Sequence, residues 1–136
     1  MKSSASRGMR VLIADDQRSV GTSLAALVDH CQHQVVQVVG SGLEAIQAFD
    51  HHKPDLVLMD YRMPKLNGAT ACRNILAKDS AALVILISAW TPGYDLAAES
   101  GAIALLPKPI DLQHLKGALA NAEQRLPLRV SQDFRA

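Results

Sequence analysis

Cysteine is scarce in this chain of 136 residues, which has only Cys31 and Cys72, far apart in the sequence. Two isolated thiols exclude a disulfide framework and a zinc knuckle, so both are expected as buried free cysteines. Long apolar runs are missing as well. No stretch approaches the roughly 20 residues of a membrane span, and the opening MKSSASRGMR lacks the apolar segment of a secretory signal. The expectation is a cytoplasmic protein with no membrane partner. An excess of one charge is also lacking: the formal net charge is +1, so no direct nucleic-acid contact is expected. Lys2, Arg7 and Arg10 read as a solvated arm. His30, His33, His51 and His52 have no second Cys/His pair to complete a metal site. They read as solvated groups, with His51 and His52 near a helix C-terminus that favours cations.

What is present fits one globular domain, since 49% of the residues are hydrophobic, 20% are charged and the length suffices for a single core. Internal repeats and low-complexity segments are absent. Residues 1–8 are expected as a flexible arm, 9–126 as the domain, and 127–136 as a tail or linker stub.

Apolar runs and turn residues alternate along the chain. Val11-Leu12-Ile13-Ala14 has the form of a buried strand, and Val20, Leu24, Leu27, Val28 and Cys31 then recur at helical spacing. Val35-Val36 and Val38-Val39 form a second run, followed by Ser41-Gly42-Leu43-Glu44, a capping-box pattern, and by Leu43, Ile46 and Phe49 as a buried stripe. Leu56-Val57-Leu58-Met59 stops at Asp60 and leads to a helix carrying Ala71, Cys72, Ile75 and Leu76. Leu83 to Ile87 stops at Ser88, and a loop with Pro92-Gly93 precedes a short helix from Tyr94 to Ser100. Ile103 to Leu106 forms the fifth strand, and Asp111 caps a helix with Leu112, Leu115 and Leu119 on one side. Near-continuous apolar strands alternating with helices predict a parallel sheet covered on both faces, a doubly wound α/β fold with five strands and five helices.

In such sheets ligands bind beyond the carboxyl ends of the strands. Here those ends carry Asp15 and Asp16, Asp60, Ser88 and Lys108. Each alone has a plain structural role as a cap, a turn residue or a surface charge. Five together at the ends of four strands point to a site. Two carboxylates about 4 Å apart repel by roughly 4 kcal/mol at an effective dielectric of 20, so the acidic triad calls for a cation such as Mg²⁺, which prefers oxygen ligands. A carboxylate is also a competent covalent acceptor of phosphate, and Lys108 and Ser88 suit phosphoryl oxygens.

The ordered set Val11 to Asp16, Leu56 to Pro64 with Asn67-Gly68, Ile85 to Ala89 and Leu106 to Pro109 resembles the response-regulator receiver domains of two-component signalling, over roughly Met9 to Leu126. That resemblance implies a flavodoxin-like sheet in the order 2-1-3-4-5. It implies Asp60 as phosphoacceptor, and Mg²⁺, with Mn²⁺ able to replace it, held by Asp15, Asp16, Asp60 and the backbone carbonyl of Arg62. Ser88 matches the switch hydroxyl, and Lys108, before a cis Pro109, matches the lysine that pairs with the phosphoryl group. Arg62 and Trp90 match the side chains flanking the path of hydrolytic water. Leu105 stands where the family usually has Tyr or Phe, so an aromatic rotamer switch is missing at that position. The implied donor is a histidine kinase or a histidine phosphotransfer protein; an output partner and a phosphorylation-dependent dimer are further implications. Such a chain is a signalling switch more than a turnover enzyme. One alternative is an aspartyl-phosphate-forming phosphatase, although these present an acid two residues after the nucleophile, where this chain has Arg62. The other is a receiver-like binding module that is never phosphorylated.

Overall fold

The structure, a computed structural model, describes residues 8–90 and 95–127. The rest of the expected arm and tail, the Pro92-Gly93 turn and Tyr94 lie outside the described residues. Strands and helices alternate strictly: β1 (Arg10–Ala14), α1 (Arg18–His30), β2 (Gln34–Val39), α2 (Gly42–His52), β3 (Leu56–Asp60), α3 (Gly68–Lys78), β4 (Val84–Ser88), α4 (Leu96–Ser100), β5 (Ala104–Pro107) and α5 (Leu112–Gln124). Among the described residues they build one five-stranded parallel sheet in the order β2-β1-β3-β4-β5. The expected fold class and strand order are both found.

Strand composition explains the layering. Every residue of β3 and β4 is buried, which is why these runs are apolar without alternation. Successive side chains leave on opposite faces. Leu12, Val57, Met59, Val84 and Leu86 therefore face a core completed by Phe49, Ala71, Cys72 and Ile75 of α2 and α3. Val11, Ile13, Leu58, Ile85 and Ile87 face the other core, with Leu24 and Val28 of α1 and Leu115 and Leu119 of α5. β2 differs because it is an edge strand, with Gln34, Gln37 and Val38 exposed. A register shift between Val11 and Leu12 interrupts its pairing, so that Val35 and Gln37 face consecutive residues of β1.

Caps fix where the helices begin. Ser41 Oγ accepts from the Glu44 backbone N–H at 3.1 Å, and Glu44 Oε1 reaches past it to accept from Gly40 N–H at 2.9 Å, a shifted form of the expected capping box. Asp111 caps α5 as expected, accepting from His114 N–H at 3.3 Å. Asn67, quoted in the sequence only within a motif, and Asp95 cap α3 and α4 in the same way.

Several expectations are corrected. Leu43 is 59% exposed, because the buried face of α2 runs through Gly42, Ala45, Ala48 and Phe49 and turns residue 43 outward. Cys31 is half-buried at the C-cap of α1, whereas Cys72 is buried. Arg10 does not belong to an arm: it opens β1, where its guanidinium donates to the Lys53 carbonyl at 3.0 Å. Ile103 precedes β5, which runs one residue later than the apolar run suggests.

Candidate functional site

The carboxyl ends of β1, β3 and β4, with the segment after β5, converge at one edge of the sheet. β1 delivers Asp15, whose N–H donates to Val39 O at 2.9 Å and whose Oδ1 accepts from Gln17 N–H at 2.8 Å. β3 delivers Asp60, and two contacts fix its exit: Tyr61 N–H donates to Ile87 O, and Gly68 N–H to Tyr61 O, both at 2.8 Å. Gly68 packs so closely here that a Cβ would run into the Asp60 carbonyl oxygen. Asp15 and Asp60 are buried, whereas Asp16 is exposed. One carboxylate oxygen from each of Asp15, Asp16 and Asp60 lies within 4.8 Å of the other two.

Lys108 completes the cluster from the far side. Its N–H donates to Ser88 O at 3.0 Å, and its Nζ lies 3.1 Å from Asp60 Oδ1 and 3.5 Å from Asp15 Oδ2. The Lys108-Pro109 peptide is cis. Burial pushes the Asp60 carboxyl above its ordinary range; the Lys108 hydrogen bond opposes this, while Asp15 and Asp16 add to it. The buried setting pulls the Lys108 ammonium down, but its hydrogen bond to Asp60 and the two negative charges prevail and hold it above its ordinary range. The cluster therefore concentrates negative charge that one ammonium only partly offsets.

Ser88, the last residue of β4, is buried, and its hydroxyl is engaged twice by one residue. Ser88 Oγ donates to Trp90 O at 2.9 Å and accepts from Trp90 N–H at 3.0 Å. The Trp90 indole stacks on the Tyr61 ring, with centroids 5.8 Å apart and planes inclined by 23°. Tyr61, Trp90, Arg62, Met63, Pro64, Asn67 and Asp16 line an open cavity of about 610 Å³ beside the carboxylates. Arg62 is exposed on its rim. Leu105 lies apart, half-buried on β5 opposite Leu86 and packed against the α2/α3-side core. The sequence reading missed the coupling of Ser88 to Trp90 and the pairing of Trp90 with Tyr61. The signal for the former was the short hydroxyl followed two residues later by a backbone it can close upon.

Residues 11–120 match the family model described as "Response regulator receiver domain". Among curated proteins, the chain is 35% identical over 117 residues to the transcriptional regulatory protein PdtaR of Mycobacterium tuberculosis, covering 85% of this chain and 57% of that protein. The chain thus spans little more than half the length of that relative. It is 34% identical over 116 residues to the chemotaxis protein CheY of Listeria monocytogenes, covering 84% of this chain and 98% of that protein. Among solved structures, a two-component response regulator of the LuxR family from Aurantimonas superposes with a TM-score of 0.80 at 26% identity, covering 89% of each chain. A chain of the CheX-CheY-BeF3-Mg complex from Borrelia burgdorferi superposes with a TM-score of 0.72 at 29% identity, over 85% of this chain and 84% of that one.

Proposed function

The chain belongs to the response regulator receiver domain family, and from that premise we propose that Asp60 accepts a phosphoryl group from a phosphohistidine donor in a Mg²⁺-dependent reaction. Receiver domains are phosphorylated by histidine kinases or phosphotransfer proteins and bind Mg²⁺ at an acidic pocket. The observation that carries the reading for this chain is the convergence of Asp15, Asp16 and Asp60 with Lys108 Nζ 3.1 Å from Asp60 Oδ1.

The donor set fits a hard divalent cation, being all oxygen and more negative than Lys108 can balance. Asp15, Asp16 and Asp60 would hold it, with the backbone carbonyl of Arg62 as a further ligand. When bound, the cation supplies positive charge against the phosphoryl oxygens and relieves the repulsion among the carboxylates. A carboxylate oxygen of Asp60 attacks phosphorus, the O–P bond forms as the N–P bond breaks, and the electron pair leaves with the donor imidazole. Lys108 turns from a purely carboxylate-paired ammonium into a partner for a phosphoryl oxygen. Ser88 donates its hydroxyl proton to another. Asp16 is exposed and lines the open cavity beside the cluster, which is the side from which a phosphohistidine donor would approach.

The test is incubation with acetyl phosphate and Mg²⁺ followed by mass spectrometry. The expected result is one added phosphoryl group on Asp60 in the parent and none in Asp60→Asn. Undiminished labelling of Asp60→Asn would move the chemistry to another residue, and an unlabelled parent would leave the non-phosphorylated binding module as the better reading.

A further inference from the structure

A serine hydroxyl has one proton to give. Here Ser88 gives it to the Trp90 carbonyl while accepting from the Trp90 N–H, so both polar backbone groups of residue 90 are tied to one side-chain oxygen. The ring of the same residue lies on Tyr61, the neighbour of Asp60. From this juxtaposition we infer that the Tyr61–Trp90 stack is the two-state element coupled to the phosphoryl site: it is closed while Ser88 is bonded to Trp90 and opens when Ser88 turns to a phosphoryl oxygen. The inference rests on Asp60 being the acceptor.

The two uses of the Ser88 proton exclude each other. Donation to an anionic oxygen at Asp60 leaves the Trp90 carbonyl without its donor and withdraws the oxygen on which the Trp90 N–H rests. Nothing else described ties residue 90 down strongly. The side chain is 44% exposed, so its indole can swing off Tyr61 without leaving a buried hole. Leu105, in contrast, is held in the sheet between β4 and the α2/α3-side core and has no polar link to Ser88. The element that reports on the site is therefore an aromatic pair on its rim, exposed Trp90 lying on half-buried Tyr61, next to Arg62 and the open cavity, where a partner protein would meet it.

Linkage gives the inference its second consequence. If occupancy of the site opens the stack, then opening the stack by mutation favours occupancy. An aromatic pair with one exposed and one half-buried ring is worth a modest coupling, so Tyr61→Leu should bind a phosphoryl mimic about two- to tenfold more tightly.

Trp90 is the only tryptophan of the chain, so its fluorescence reads the stack directly. Mg²⁺-loaded protein is titrated with beryllofluoride, with binding followed independently by ¹⁹F NMR, and labelling by acetyl phosphate is measured in parallel. In the parent, Trp90 emission should change in step with the ¹⁹F signal. In Tyr61→Leu, emission should start near the parent's bound value, change little further, and binding should tighten. In Ser88→Ala at ¹⁹F saturation, the emission step should be lost. A parent that is labelled on Asp60 yet shows constant emission would overturn the inference and leave the phosphoacceptor reading intact, as would unchanged affinity in Tyr61→Leu. A parent that is not labelled at all would instead remove the reading on which the inference rests.

Discussion

Asp60 and Lys108 are poised against each other, and pH separates their contributions. Because burial, Asp15 and Asp16 together outweigh Lys108, Asp60 holds its proton more tightly in the fold than in the unfolded chain. A raised carboxyl value contributes stability below the ordinary Asp value of about 3.9, and that stability is lost as pH rises through the folded value. At pH 7.5 the ionised Asp60 therefore weighs against the fold. Asp60→Asn should melt higher than the parent in chelator at pH 7.5, and the gap should close as pH falls toward about 4. A variant that melts lower at neutral pH would show that the triad is not crowded. Lys108 has the complementary sign: its raised value adds stability below the ordinary lysine value of about 10.4, lost as pH rises past it. Lys108→Ala leaves three carboxylates facing one another, and thermal melts should show a loss of roughly 1–3 kcal/mol in chelator, largely restored by Mg²⁺.

At the scale of elements, the join between β3 and α3 sets the position of Asp60. Gly68 leaves no room for a Cβ against the Asp60 carbonyl, so Gly68→Ala must push the start of α3 away from the end of β3. The expected cost is about 1–3 kcal/mol by denaturant unfolding, together with slower acetyl-phosphate labelling because the acceptor shifts with its strand end. A core substitution away from the site should behave differently. Leu58→Ala, fully buried on β3, should lose about 2–5 kcal/mol while the folded fraction labels at the parental rate. The strands and the residues at their ends were legible because a two-sided sheet demands unbroken apolar runs, and Asp60 and Ser88 stand out where such runs stop. Leu43 was misread because Gly42, Ala45 and Ala48 carry little apolar signal although they form the packed face of α2. Gly68 was quoted only within a motif, since a glycine does not announce which backbone approaches it. The Tyr61–Trp90 pair was illegible because its partners come from the ends of different strands and meet only once β3 and β4 are in register.

For the whole molecule, the sheet order grades stability from centre to edge. β1, β3 and β4 are paired on both sides and β3 and β4 are wholly buried, whereas β2 has one neighbour among the described residues and three exposed residues. Native-state hydrogen exchange should protect amides of β3 and β4 most and those of β2 least, and equal protection of β2 would contradict that gradient. The same edge bears on behaviour in concentrated solution. An edge strand offers unpaired backbone groups on which the strand of another molecule can lie down. In β2 the ladder is out of step at Val36, so the ribbon it presents is bent where a flat template would be needed. With glutamines at Gln34 and Gln37 on that ribbon, the irregularity that looks like a defect in the sheet is what discourages two molecules from zipping into one continuous sheet.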